Sequence, residues 1–394
     1  MYAVDSKPDF ILITGDIPAH AMPTWALQNQ TITQFTSMIR QVFPTTLVLP
    51  LLGNNDVYPD YHQPYGPSAW LDHLANLWSP WLGEEQRATF VTGGYYSMKV
   101  PAATGLRIIA LNTVLYSINF VPSNSTALDP YDSCTTNPPA DPNGQFVWLK
   151  NQLAQAKLNN EKVIIAGHIP YGVNEYDGSI NWCAKYVDSY LDIIYPFAED
   201  VIINQIFAHY HLDEFRILLS PRGAEASATP PPPTDDDVAG AQQTTSADPV
   251  VVSSIMIHPS ISPLHENNPS FRYYHYYRET GAIADYAHFY LDLALVNLLP
   301  APRWVLEYTF RGAYAVSGVD TASFAWVWET ITSGFSSHFA RYLSYKTALY
   351  IANALPNMCA ITSTGSADYQ RCLLRYHVDA AQSSPDPTTQ RREL

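Results

Sequence analysis

Four apolar, β-branched runs of strand length each stop at a turn that carries metal-ligand side chains: Phe10 to Thr14, Thr46 to Leu52, Lys162 to Ala166 and Val201 to Ala208. The turns read ThrGlyAsp (Thr14 to Asp16), GlyAsnAsnAsp (Gly53 to Asp56), GlyHis (Gly167 and His168) and HisTyrHis (His209 to His211). Few folds bring four such strand ends together. An α/β sheet does, because ligands bind in the crevice beyond the carboxyl ends of its strands, where side chains distant in sequence converge. The converging types are carboxylate, amide oxygen and imidazole without thiolate, which suits Zn, Mn or Fe rather than an iron–sulfur or copper(I) centre. Taken singly, each piece has a bland explanation: Asp16 as a turn residue or helix cap, Gly53 and Asn54 as a turn, any one histidine as a hydrogen-bonded imidazole. Their shared placement at strand ends argues for a metal site.

The order GlyAsp, GlyAsn-x-Asp, GlyHis, His-x-His resembles the calcineurin-like metallophosphoesterases. Further stretches narrow the resemblance to the acid sphingomyelinase-like phosphodiesterases: GlyAspIleProAlaHis (Gly15 to His20), AsnLeuTrpSerProTrpLeu (Asn76 to Leu82), GlyGlyTyrTyrSer (Gly93 to Ser97), GlyHisIleProTyrGly (Gly167 to Gly172), ProSerIleSerPro (Pro259 to Pro263) and AsnProSerPheArgTyrTyr (Asn268 to Tyr274). The resemblance implies an α/β fold, a calcineurin-like β-sandwich flanked by helices with a small helical C-terminal lobe. It makes Asp16 the carboxylate bridging two metals, with Asn54, His168 and His209 completing one site and His211 serving the other. In such a centre two ions about 3.5–4 Å apart, Zn2+ in this family, hold a hydroxide and the phosphoryl oxygens for in-line displacement. His20 matches a histidine that helps the leaving group depart or holds the phosphate, work that suits an imidazole titrating near neutrality.

Two departures follow. The family opens with an Asp-x-His motif that supplies two ligands to the metal His211 shares, and Met1 to Asp9 contains no histidine. A truncated chain or a degenerate, inactive enzyme with one metal site is the expectation from that departure. The position after Asn54, a histidine in sphingomyelinase-type members, is Asn55, which cannot act as an acid. GlyAsnAsnAsp also resembles the endopolyphosphatase branch, so Asn55 moves the acid role toward His20 and widens the substrate choice to phosphoanhydrides.

Only 14% of residues are charged, against the usual quarter, and the net charge is −15. Nonspecific nucleic-acid binding relies on Lys and Arg displacing counterions, so a nucleic-acid polymer is a poor partner and a small phosphodiester, phospholipid or nucleotide a better one. Sequons at Asn29 and Asn124 are candidate glycosylation sites that would help solubilise such a surface. None of the four cysteines forms a CxxC pair, which argues against a zinc ribbon. Cys359 and Cys372 resemble the family's terminal disulfide, leaving Cys134 and Cys183 as a second pair, and disulfides imply a secreted or lysosomal/vacuolar location. Met1 to Phe10 lacks a basic region followed by an apolar one, and no apolar run reaches the length of a membrane span.

The expected organisation is a catalytic domain over residues 1–300, a helical lobe over 301–380 and a disordered tail over 381–394. ProProProPro (Pro230 to Pro233) beside three consecutive aspartates marks 222–249 as a flexible insertion. Gln28 to Val42 and Gln145 to Lys157 read as helices, and TyrTyrHisTyrTyr (Tyr273 to Tyr277) as a half-buried strand. From Trp304 onward, helical spacing of Phe324, Val327, Trp328, Ile331, Phe335, Phe339 and Tyr342 predicts the helical lobe. A phosphate loop, a Gly-x-Ser-x-Gly elbow and a dinucleotide fingerprint are all missing from the sequence, which leaves metal-assisted hydrolysis.

Overall fold

A computed structural model describes residues 4–122, 134, 138–174, 178–220, 250–264, 267–296, 303–332, 337–348 and 358–375. The insertion over 222–249, the tail over 381–394, Phe335 and the sequon at Asn124 lie outside the described residues.

The N-terminal strand β1 (Phe10–Ile13) leads into helix α1 (Trp25–Val42) and a parallel partner, β2 (Leu47–Pro50). Helix α1 starts three residues before the predicted Gln28, because Thr24 caps it: its hydroxyl accepts from the Leu27 amide at 3.2 Å. Helices α2 (Ala69–Leu77) and α3 (Glu84–Gly93) follow, then strands β3 (Tyr96–Lys99) and β4 (Leu106–Ala110). Helix α4 (Gln145–Leu158) and strand β5 (Lys162–Ala166) fall where the sequence predicts them. Helix α5 (Ala184–Ile194), then β6 (Ile202–Phe207), β7 (Glu214–Leu219) and β8 (Val251–Ile257) complete a six-stranded mixed sheet of order β3-β4-β5-β6-β8-β7. Strands β4, β5, β6 and β8 run parallel at its centre, and β3 and β7 are antiparallel to their neighbours.

The sheet is buried on both faces, and the alternation of its strands shows which side chain goes where. Ile109, Val163 and Ile165 point to the face covered by Leu149 and Leu153 of α4 and Tyr186 and Tyr190 of α5. Ile108, Ile164 and Ala166 point the other way, into a core shared with Val48 and Leu49 of β2 and Ile32 of α1. Near-continuous apolar strands are what a sheet covered on both faces requires.

A three-stranded antiparallel sheet, β9 (Ser270–Tyr276), β10 (Ile283–Leu291) and β11 (Trp304–Thr309), joins this second core through Tyr274, Tyr286 and Tyr308. The predicted strand at Tyr273 to Tyr277 is β9, shifted toward its N-terminal side. Strand β11 is a correction, since the helical lobe was expected to begin at Trp304. Alternate residues Leu306 and Tyr308 pair with Phe289 and His288 of β10, and this cross-strand pairing outweighs the helical pattern that starts further on. The helices do follow: Phe324, Val327 and Ile331 of a helix over Thr321–Thr332 and Phe339 and Tyr342 of one over Ser337–Lys346 are buried. Phe324 and Tyr342 meet Phe215 of β7 with ring centres 5.2 and 5.4 Å apart.

Candidate metal centre

The turn after β1 is bent by two left-handed residues, Gly15 (φ 91°) and Asp16 (φ 55°). A side chain at Gly15 would lie 2.6 Å from the Gly53 nitrogen and 2.9 Å from the His168 ring, so only glycine lets the three turns close on one another. Gly53 is tighter still, because a Cβ there would sit 2.1 Å from the Asp16 carboxylate. Asp56 ties these turns together. Its carboxylate accepts from the backbone amides of Asp16 (2.8 Å), Ile17 (3.0 Å) and Gly53 (2.7 Å), fixing the loop after β1 on the loop after β2. The amide of Ala208 donates to the His168 carbonyl at 2.9 Å and joins the turns after β5 and β6.

Held this way, Asp16, His168 and His209 offer ligand atoms that all lie within 4.8 Å of one another. His168 Nδ1 lies 2.7 Å from the Thr14 carbonyl, an acceptor only, so this nitrogen carries the proton and Nε2 is left with its lone pair. Around Nε2 stand Asp16 Oδ2 at 3.1 Å, Asn54 Oδ1 at 3.2 Å and His209 Nδ1 at 3.3 Å. Carboxylate, amide oxygen and two imidazole nitrogens thus face one point, with more lone pairs than protons to fill them. That surplus fits a divalent cation of the borderline kind.

The electrostatics agree. Burial pushes the Asp16 carboxyl up, but the charge and hydrogen bond of His168, with His209 and the Asn55 amide, leave it lowered. Burial pushes His168 down, yet Asp16 beside it leaves it raised. The two directions are one interaction seen from both sides, the carboxylate and the imidazole each favouring the other's charged form. Burial and the neighbouring Asp16 carboxylate raise Asp56 to about 7, against the lowering effect of the amides it accepts from.

Of the sequence-derived candidates, Asp16, Asn54, His168 and His209 come together. His211 lies two residues further on in a left-handed conformation (φ 65°), and its backbone carbonyl accepts from Ser260 at 3.2 Å. Among the described residues it is not part of the converging set. His20 and Asn55 adjoin each other, with Nδ1 and Oδ1 3.0 Å apart, and His20 is 60% exposed beside the buried cluster. Both predicted disulfides are present, Cys134–Cys183 and Cys359–Cys372. Asn29 sits half-buried on α1 with Oδ1 2.8 Å from His73 Nε2. Sequence reasoning gave Asp56 no role although it lies inside the GlyAsnAsnAsp motif, and it passed over Asp60, whose carboxylate is 2.7 Å from His20 Nδ1.

This fold and this donor set define a metallophosphoesterase. Residues 2–213 match the calcineurin-like phosphoesterase family, and residues 247–379 match the acid sphingomyelin phosphodiesterase C-terminal region. The chain belongs to the acid sphingomyelinase-like phosphodiesterases of the calcineurin-like superfamily, a family of hydrolases acting on phosphoester bonds. It is 32% identical to acid sphingomyelinase-like phosphodiesterase 3b of Homo sapiens, over 95% of this chain and 77% of that protein. It is 31% identical to the cyclic GMP-AMP phosphodiesterase SMPDL3A of Mus musculus, over 94% and 78%. With sphingomyelinase phosphodiesterase C of Dictyostelium discoideum the identity is 30%, over 94% and 78%.

Proposed function

We propose that this chain is a metal-dependent phosphodiesterase acting on small phosphodiester or phosphoanhydride substrates of the nucleotide or sphingomyelin-like kind. The observation that carries this reading is the convergence of Asp16, His168 and His209 within 4.8 Å, with Asn54 Oδ1 facing the same His168 nitrogen. Asp16, Asn54, His168 and His209 would hold one zinc ion and His211 would serve a second, and bound there the metal would supply Lewis acidity to the phosphoryl oxygens and activate water. The protein's own groups do the rest. Asp56 keeps the two N-terminal turns in register, Thr14 fixes the His168 tautomer, and His20, exposed at the rim, protonates the departing oxygen. The names of the relatives support the substrate class, since one acts on cyclic GMP-AMP and another on sphingomyelin.

The two disulfides support an oxidising compartment, secreted or lysosomal/vacuolar. Glycans at Asn124 and Asn29 fit that compartment. No helix among the described residues is long and apolar enough to cross a membrane, and peripheral contact with a lipid surface is compatible with that.

Zinc content and hydrolysis of bis-(p-nitrophenyl) phosphate test the proposal together. Zinc binding with turnover is expected, the first equivalent held by Asp16, Asn54, His168 and His209 and a second, weaker one served by Asp16 and His211; one equivalent or less without turnover would replace it with a single-ion pseudoenzyme. Asn55 favours a second reading, an endopolyphosphatase, and a strong preference for long polyphosphate over nucleotide and sphingomyelin substrates would put that reading first.

A further inference from the structure

His20 stands between two oxygen acceptors that both face one ring nitrogen. Its Nδ1 is 2.7 Å from Asp60 Oδ2 and 3.0 Å from Asn55 Oδ1. A carboxylate only accepts. The Asn55 amide is oriented by its other contacts: Asn54 Nδ2 donates to Asn55 Oδ1 at 2.7 Å, and Asn55 Nδ2 faces the Pro18 carbonyl at 3.5 Å. Turning the amide over would set two NH2 groups against each other and an oxygen against a carbonyl. Both neighbours of Nδ1 are therefore acceptors, and Nδ1 must carry the proton.

The two acceptors are themselves pinned. Asp60 Oδ2 also accepts from the Ala21 amide at 2.7 Å and is nearly buried, which holds the loop that carries His20. Asn55 receives Gln28 Nε2 on its carbonyl at 2.6 Å and donates its own amide to Asp16 Oδ1 at 2.8 Å. The same Asn55 oxygen that faces His20 takes the Asn54 NH2, and so turns Asn54 Oδ1 toward His168.

We infer that Asp60 is the positioning residue for His20: with Asn55 it locks the ring in the Nδ1–H tautomer and presents Nε2 to the leaving group. The inference rests on His20 being the acid of the proposed hydrolysis. In that step the water oxygen bonds to phosphorus and loses a proton to solvent. The bond from phosphorus to the leaving oxygen breaks with its electron pair staying on that oxygen, which takes the Nε2 proton of the His20 imidazolium. What remains is the Nδ1–H neutral ring that Asp60 and Asn55 favour, and solvent reprotonates Nε2. Asn55 is on this view not a lost acid but one acceptor shared by the acid and a metal-ligand amide.

Long-range 1H–15N correlation spectra of histidine-labelled full-length protein test this with or without metal, the His20 signals being assigned by their loss in His20→Asn. The wild type should show His20 as the Nδ1–H tautomer. Asp60→Ala should move it toward the Nε2–H form that an unconstrained histidine side chain prefers, and Asp60→Asn, which keeps an acceptor, should shift it less. In turnover, the ratio of kcat for a phenyl diester to kcat for the p-nitrophenyl diester should fall about tenfold in Asp60→Ala, the size expected for removing a group that orients an active side chain. Equal losses on both esters would overturn the inference. An Nε2–H ring in the wild type, or an unmoved tautomer in Asp60→Ala, would also overturn it. A chain that hydrolyses no ester would sink the hydrolase reading alone, and the spectra would still decide the tautomer.

Discussion

Asp16, partly buried, and Asp213, buried, are both carboxylates held below the usual carboxylate range, yet their surroundings differ in kind. Burial pushes Asp213 up, and the Arg272 guanidinium and His288 more than offset it. Its oxygens are taken by Arg272, by His288 and by the Tyr308 hydroxyl at 2.6 Å, groups that bring their own protons. Asp16 faces His168, Asn54 and His209 instead, side chains that bring lone pairs and leave a cation's place among them. A perturbed carboxylate alone does not mark a site. What distinguishes the two clusters is whether the partners close the hydrogen-bonding account or leave acceptors aimed at one point. The first cluster is a ligand cage; the second fastens β9, β10 and β11 to the turn before β7.

The sharpest way to break that contrast is His209→Ala. Removing a ligand should lower zinc content by about one equivalent and activity by several orders of magnitude, each order costing about 1.4 kcal/mol of barrier, while thermal unfolding of the metal-free protein changes little. Unchanged zinc stoichiometry would show that His209 belongs with the structural histidines such as His288.

Arg272→Ala probes the other cluster. It leaves Asp213 buried against His288 without its main counter-charge, a loss of about 3–5 kcal/mol in stability by urea unfolding. Zinc stoichiometry should hold. A variant that keeps its stability but loses zinc would reverse the roles assigned to the two clusters.

The same contrast explains what could be read from the sequence. Asp16, Asn54, His168 and His209 follow apolar runs directly, and β5 spans the residues its β-branched run predicts, because strand and ligand are neighbours along the chain. Asp56 and Asp60 act across about forty residues, on the amides of Asp16 and Ile17 and on the ring of His20, and no local pattern reports such a bond. The buried cluster was hidden for a further reason: it joins side chains of β9, β10 and β11, and β11 was masked by the helical spacing that follows it. Tyr308 and Glu307, which belong to that cluster, went unread with it.

Glu307 gives the smallest effect and the finest test. Its side chain is 4% exposed, and His288 Nε2 lies 3.7 Å from Oε2, beyond hydrogen-bonding reach. Burial first, then the negative charge of Asp213, raises its carboxyl from 4.5 to about 9. The folded protein therefore keeps this proton up to about pH 9, whereas the unfolded chain releases it near 4.5, so unfolding releases a proton throughout the window between. The contribution of Glu307 to stability should be greatest below the lower value and fall as pH rises through the window, by on the order of 1 kcal/mol per pH unit. Glu307→Gln keeps the shape and removes the titration, so its urea midpoint should lose that slope and exceed the wild type's at pH 8 while matching it near pH 4.5. The cluster around Asp16 does not contain Glu307, and metal stoichiometry should be the same in both proteins. A slope between pH 7 and 9, above the range in which Asp56 titrates, that survives unchanged in Glu307→Gln would mean that Glu307 is ionised and paired with His288. The cluster around Asp213 would then hold a second charged carboxylate and resemble the ligand cage more than the closed fastening described above.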